Sequence, residues 1–169
     1  TEPFDLLLGR RTYDIFAAFW PYAQGQHKAM GELFDRIDKF VLTHDETPLE
    51  WQNSHRLGSI EALAELKRGD GPDLVIQGSS TLYPQLLDAG LIDRLTVMTF
   101  PVVLGTGKRL FGDGTPAGTL RLVEQQFSPA GAVIATYEPA GPVETGSFAA
   151  PEPSAREQER RQEIADGRW

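Results

Sequence analysis

The chain has 169 residues, 40% of them hydrophobic and 24% charged, enough for one domain with a sizeable core. Sixteen basic against twenty-four acidic side chains give a net charge of −8, which argues against a nucleic-acid surface. Its lack of cysteine excludes a disulfide framework and thiolate metal sites, and no apolar run nears the roughly 18 residues that span a bilayer.

In chain order, the apolar run FDLLL at 4–8 predicts a buried strand. Tyr13, Phe16, Phe19 and Trp20 then recur at helical spacing, and Pro21 follows them. Residues 22–36 read as a loop with a weak helical turn, and KFVLT at 39–43 as a second strand. A polar connection follows, with a short extended piece near His55 to Leu57. Ser59 is the expected N-cap of a helix through Lys67, which the GDGP at 69–72 stops. DLVIQ at 73–77 is a strand that breaks at Gly78, and a helix from about Ser80 to Ala89 ends at Gly90, a left-handed cap. RLTVMTF at 94–100 is the next strand, halted by Pro101 before an irregular glycine-rich segment. The last two strands, about 119–127 and 132–138, flank SPAG and form an antiparallel hairpin.

Alternating strands and helices followed by a hairpin imply an α/β fold with a mostly parallel sheet. Right-handed crossovers put the carboxyl ends of the parallel strands, Gly9, Thr43 and Gly78, on one rim, where open α/β sheets bind ligands. From Ala140 the texture changes to a proline-bearing linker and a charged segment in which Ser154 and Glu157 form a capping box and Glu157 and Arg161 an i,i+4 pair. This segment reads either as a tail or as an arm across a partner subunit anchored by Phe148 or Trp169. The domain is thus expected over 1–139 and the linker and tail over 140–169. The chain opens at Thr1 and enters a strand at once, so a processed start or further preceding residues are expected.

The strand-to-helix junctions carry the chemistry. Gly9-Arg10-Arg11-Thr12 offers unpaired helix amides, a hydroxyl and two guanidinium groups, all suited to an anion. Gly78 with Ser79, Ser80 and Thr81 offers free amides and three hydroxyls, the equipment to cradle a pyrophosphate. Thr43 and His44 could meet a ribose, although Asp45 and Glu46 would repel a 2′-phosphate. Other motifs fail. GTGKRLFG at 105–112 lacks the first glycine of a phosphate loop, and Leu110 replaces the third glycine of a dinucleotide fingerprint. His27, His44 and His55 lack helical metal-ligand spacing, so no metal is expected. No Gly-x-Ser-x-Gly nucleophile elbow is present.

Read together, LLLGRRTYDIF, FVLTH and LVIQGSSTLYPQLLDAGLIDRLTVMTFPVVLGTGKRLF resemble the dihydrofolate reductase-like superfamily, in its riboflavin-biosynthesis reductase branch. The resemblance runs from about Phe4 to Glu138. It implies a three-layer α/β sandwich that binds NADPH, with NADH as the alternative, and passes hydride to a pteridine or a riboflavin precursor of the 5-amino-6-ribosylaminouracil type. By the same resemblance Gly9, Arg10, Arg11 and Thr12 match a phosphate-binding element, and Thr43 and His44 match the adenosine-ribose corner. Gly78, Ser79, Ser80 and Thr81 match the pyrophosphate loop, and Pro101, Leu104 and Gly105 a loop bordering the substrate.

Three departures stand out. Ser79 follows a single glycine where the family commonly has two, the ribose corner shows no arginine, and the family's first strand and helix, with their acidic residue, have no counterpart. No catalytic residue is therefore named. The expected partners are a small-molecule substrate and a second copy in a homodimer, with no nucleic acid and no membrane, in the cytoplasm. The alternatives are a catalytically silent nucleotide-binding or regulatory domain and, third, a structural oligomer stapled by its tail.

Overall fold

A computed structural model describes residues 4–146 and 152–168, so Phe148 and Trp169 lie outside the described residues. Strand β1 (Phe4–Gly9) runs straight into helix α1 (Arg10–Phe19), which a 3₁₀ turn at Trp20–Tyr22 closes. Then come α2 (Lys28–Arg36), β2 (Lys39–Leu42), β3 (Ser54–Leu57), α3 (Ile60–Lys67) and β4 (Asp73–Val75). After a 3₁₀ turn at Ser80–Leu82 follow α4 (Tyr83–Asp88), β5 (Leu95–Thr99), β6 (Leu120–Phe127), β7 (Val133–Pro139) and α5 (Ala155–Ala165).

β1 lies between two parallel neighbours and is the most deeply buried strand, as a strand covered on both faces and both edges should be. Its side chains alternate between layers. Leu6 and Leu8 pack with Tyr13, Phe34, Ile37, Val41 and Trp51 against α1 and α2. Leu7 faces the other way, toward Leu63 of α3, Leu86 of α4 and Leu82 just before it. This gives three layers, helix pair on sheet on helix pair.

The parallel set runs β3-β2-β1-β4, and a separate antiparallel set runs β5-β7-β6. The expected hairpin is therefore present, but β5 pairs with β7 and not with the parallel strands. At the hairpin turn the Ser128 amide donates to the Ala132 carbonyl at 2.8 Å, and Gly131 takes φ +83, a conformation that suits glycine.

Two regions differ from the sequence expectation. Residues 28–36 form a full helix and not a loop with a weak turn: Met30, Leu33, Phe34 and Ile37 recur at helical spacing, and ring contacts anchor that face. Phe34 stacks on Phe16 at 6.0 Å and meets Trp20 edge-on at 5.0 Å. Gly31 passes so close to the Trp20 carbonyl that a Cβ there would sit 2.5 Å from the oxygen. The helix expected from about Ser80 is divided into a 3₁₀ turn and α4, with Gly90 left-handed at its end as predicted (φ +64).

The charged segment forms α5. Its Ser154 hydroxyl accepts the Glu157 amide at 3.3 Å, and Arg160 and Arg161 both bind the Glu157 carboxylate. These bonds hold that carboxyl down at about 2. No residue of α5 is buried.

Candidate functional site

Parallel register places Gly9 opposite Leu42, and Leu42 opposite Leu57. The residues that follow, Arg10, Thr43 and Gly58, therefore emerge on one rim of the sheet.

At the first corner Gly9 is both the last residue of β1 and the N-cap of α1, with an extended backbone (φ −78, ψ 155). A Cβ there would lie in ordinary contact, 3.6 Å from both Leu82 and the Ser79 hydroxyl, so the Leu82 side chain and the Ser79 hydroxyl close on this corner. No side chain caps the helix and no acid occupies its first turn. The amides and the positive end of the α1 dipole are thus open to an anion.

The second corner is bent sharply. Gly78 and Ser79 both adopt left-handed backbone, φ +69 and +52. For serine this costs about 1–2 kcal/mol, and three bonds hold it in place. The Gly9 amide donates to the Ser79 hydroxyl at 3.0 Å. The Leu82 amide donates to the Ser79 carbonyl at 2.8 Å, and the Tyr83 hydroxyl donates to the Gly78 carbonyl at 2.8 Å. Burial pushes the Tyr83 phenol up, which keeps it a donor. The side chain that stands where the family commonly has a second glycine thus latches one corner to another. Thr12 lies beneath the same bend, 3.8 Å from where a Gly78 Cβ would be. The hydroxyls of Ser80 and Thr81 make no hydrogen bond to any described residue and remain available.

The third corner is a tight turn after β2. The Asp45 amide donates to the Thr43 hydroxyl at 3.0 Å, while the Asp45 carboxylate accepts from the Thr47 amide at 2.8 Å and hydroxyl at 2.6 Å. These Thr47 bonds, assisted by Arg10 and Arg56, hold the Asp45 carboxyl below its ordinary range. His44 is exposed and bonds to no described residue.

Two arginines join this turn to the rest. The Thr47 carbonyl accepts from Arg10 at 2.8 Å and from Arg56 at 2.9 Å, and Arg56 also donates to the Asp45 carbonyl. Arg10 is further committed to Asp14 at 2.9 Å. Arg10 therefore works as a brace between the first and third corners, while Arg11 is exposed and free of hydrogen bonds and ion pairs among the described residues. Arg56 was missed from the sequence. It comes not from the residues after β2 but from β3, where it sits beside Val41 in parallel register.

The structure thus brings Gly9, Arg10, Thr43, Gly78 and Ser79 into one bonded assembly, with Thr12 beneath it and Arg11, Ser80, Thr81 and His44 along it. Pro101, Leu104 and Gly105 lie elsewhere, on the irregular segment after β5. Pro101 packs near Gly131, Leu104 is 81% exposed, Gly105 takes φ +76, and no hydrogen bond joins them to the rim. Among the described residues no cluster of three or more histidine or acidic side chains could hold a metal, and no helix is long and apolar enough to cross a membrane.

A sequence model of the RibD C-terminal domain matches residues 2–134. The uncharacterized protein YyaP of Bacillus subtilis (strain 168) is 27% identical over 135 residues, which are 78% of this chain and 72% of that protein. Among solved structures, a protein assigned to riboflavin biosynthesis from Shewanella sp. PV-4 superposes with a TM-score of 0.61 at 20% identity, covering 82% of this chain and 74% of the other. Dihydrofolate reductase from Enterococcus faecalis, solved with NADP(H) and RAB-propyl, gives a TM-score of 0.54 at 16% identity, covering 82% of this chain and 76% of the other. These structural likenesses show the fold, a dihydrofolate reductase-like α/β sandwich.

Proposed function

The chain belongs to the RibD C-terminal domain family, and on that premise we propose that it is an NADPH-dependent reductase acting on a small heterocycle of pteridine or riboflavin-precursor type. One observation carries the reading. Three strand-end corners are bonded to one another through Gly9–Ser79 and Arg10–Thr47, around a helix N-terminus that no side chain caps. Such an assembly is rigid before any ligand arrives, so an anion meets donors already in position.

The diphosphate would take the α1 amides, Arg11, and the hydroxyls of Ser80 and Thr81, with Thr12 beneath. The adenosine ribose would lie at Thr43 and His44, where Arg56 and Arg10 supply the positive charge that a 2′-phosphate requires. NADPH when bound supplies the hydride, and the protein's part is to hold the nicotinamide end against the substrate and keep water away. Pro101, Leu104 and Gly105 would border that substrate. A homodimer and a cytoplasmic setting complete the reading. The exposed apolar residues of the antiparallel sheet support the homodimer.

Titration with NADPH and NADH, followed by tryptophan fluorescence and thermal melting, tests this. NADPH should bind more tightly than NADH, and Arg11→Ala should weaken NADPH about tenfold, as loss of one charge-assisted bond to phosphate implies. Absence of any melting shift at millimolar NADPH would overturn it.

A second reading, a catalytically silent nucleotide-binding domain, is favoured by one fact. The acids beside the rim, Asp14 and Asp45, are engaged by Arg10 and Thr47 and so are not placed to move a proton. NADPH binding without turnover on pteridine or pyrimidine substrates would select it.

A further inference from the structure

An exposed loop carries the third corner of the rim. Residues 43–53 belong to no helix or strand, and 44–48 are exposed. Such loops ordinarily sample several conformations. The Thr43 and Asp45 side chains shape the turn from within, but where that turn sits is set from outside the loop.

Two attachments set it. At the rim the Thr47 carbonyl accepts from Arg10 and Arg56. Farther along, Trp51 is buried and gripped from three sides. Its amide donates to the Tyr13 hydroxyl at 2.9 Å, and its indole N–H donates to the Asp35 carboxylate at 2.6 Å. The Lys39 ammonium lies 4.5 Å from the centre of its ring. Between the two attachments stand residues 48–50, of which Leu49 packs on the core.

Helix α1 joins the attachments. Tyr13 comes three residues after Arg10, so the two share a face, and the Arg10 guanidinium lies 5.7 Å from the Tyr13 ring centre. One helical turn thus holds the loop at Thr47 and again at Trp51. Tyr13 is only 2% exposed, and a phenylalanine would fill the same space. Its hydroxyl is the part that packing does not explain, because a buried hydroxyl is costly unless it is bonded. The bond it makes is to the amide of a loop residue 38 positions away.

We infer that Tyr13 is a positioning residue for the adenosine end of a bound dinucleotide. Its hydroxyl fixes the far end of segment 43–51 through the Trp51 amide, so that Thr43, His44 and the two arginines keep one geometry. Buried itself, Tyr13 acts only through the loop. This role rests on the dinucleotide reading of the rim and adds to it a residue that the ligand does not reach.

The test is calorimetric binding of NADPH and of adenosine 2′,5′-bisphosphate, which carries the adenosine end alone. The full chain is compared with Tyr13→Phe and Leu63→Val at a temperature where each is folded. Tyr13→Phe keeps the ring and should weaken both ligands about fivefold, the factor that one buried hydrogen bond contributes. Leu63→Val trims a wholly buried side chain in the other core cluster and should leave both affinities unchanged. Unchanged binding by Tyr13→Phe would overturn the inference. Equal weakening by both variants would overturn it too, since the loss would then be one of general stability. Hydrogen exchange on the parent chain needs no variant to fold. At ten times its dissociation constant the bisphosphate should slow the Trp51 amide about tenfold and leave the Ala135 amide of β7 unchanged. No slowing at Trp51, or equal slowing at both amides, would refute the role. If the parent chain binds neither nucleotide, the reading of the rim falls and this inference with it. If the parent binds them and Tyr13→Phe binds them as tightly, the inference alone falls.

Discussion

The parallel and antiparallel halves of this molecule have opposite relations to water. In the parallel half, helices cover both faces, and Leu6, Leu8, Val41 and Leu63 are fully buried. In the antiparallel half, β6 is exposed along nearly its whole length, and Met98, Leu122, Val123 and Phe127 show apolar surface. The first half is a finished core that can hold chemistry steady at its strand ends. The second has the hydrogen bonds of a sheet but lacks the burial that usually stabilises one. The rim assembly therefore stands on the half able to bear strain such as that at Ser79, and the apolar excess falls on the half with surface to offer.

The widest separation between the halves should appear in core truncations. Leu8→Ala is expected to cost about 3–4 kcal/mol in denaturant unfolding, as a fully buried leucine does. Val123→Ala, 45% exposed, should cost less than about 1 kcal/mol. Equal costs would break the contrast and mean that β6 is covered in solution. Gly31→Ala should follow at about 2 kcal/mol, since its Cβ would strike the Trp20 carbonyl, which is backbone and yields little.

A pH measurement sharpens the contrast further. Lys39 is wholly buried beneath Trp51, its ammonium donating to the Phe34 carbonyl at 2.6 Å at the end of α2. Burial pushes it down from 10.5 to about 8, against the pull of Asp35, Asp38 and Asp5. Between these values the unfolded chain binds more protons than the folded one. Stability should therefore rise with pH from about 8 to about 10.5, by up to about 1.4 kcal/mol per unit, and the slope should vanish in Lys39→Met. A flat profile in the parent protein would refute this. A smaller effect than the core truncations is Ser59→Ala, about 1 kcal/mol from loss of the cap on the Ala62 amide, measured in the same unfolding assay.

Much of the parallel half was legible in the sequence. Apolar runs marked β1 and β2, Ser59 marked the start of α3, and Gly90 the end of α4. The hairpin was legible through SPAG. What failed to show was whatever depends on neighbours distant in the chain. Helix α2 and its cap have Met30, Leu33, Phe34 and Ile37 at helical spacing, but the Phe16 and Trp20 rings that Phe34 packs on come from another part of the chain. The division into two sheets is decided by edge pairing, of which a strand's composition says nothing. At the rim the residue types were readable, but their division of labour was not. That Arg10 would brace while Arg11 stays free, that Ser79 would latch, and that Arg56 would arrive from β3 follow from register and bend angles.

The Gly9 amide gives this protein a reporter of its own. It is the one backbone donor of β1 that reaches across to the loop after β4, so its proton records when those two pieces of chain part company. A single glycine resonance, followed by NMR through a titration or a temperature ramp, would time the opening of the rim without any label being added to it.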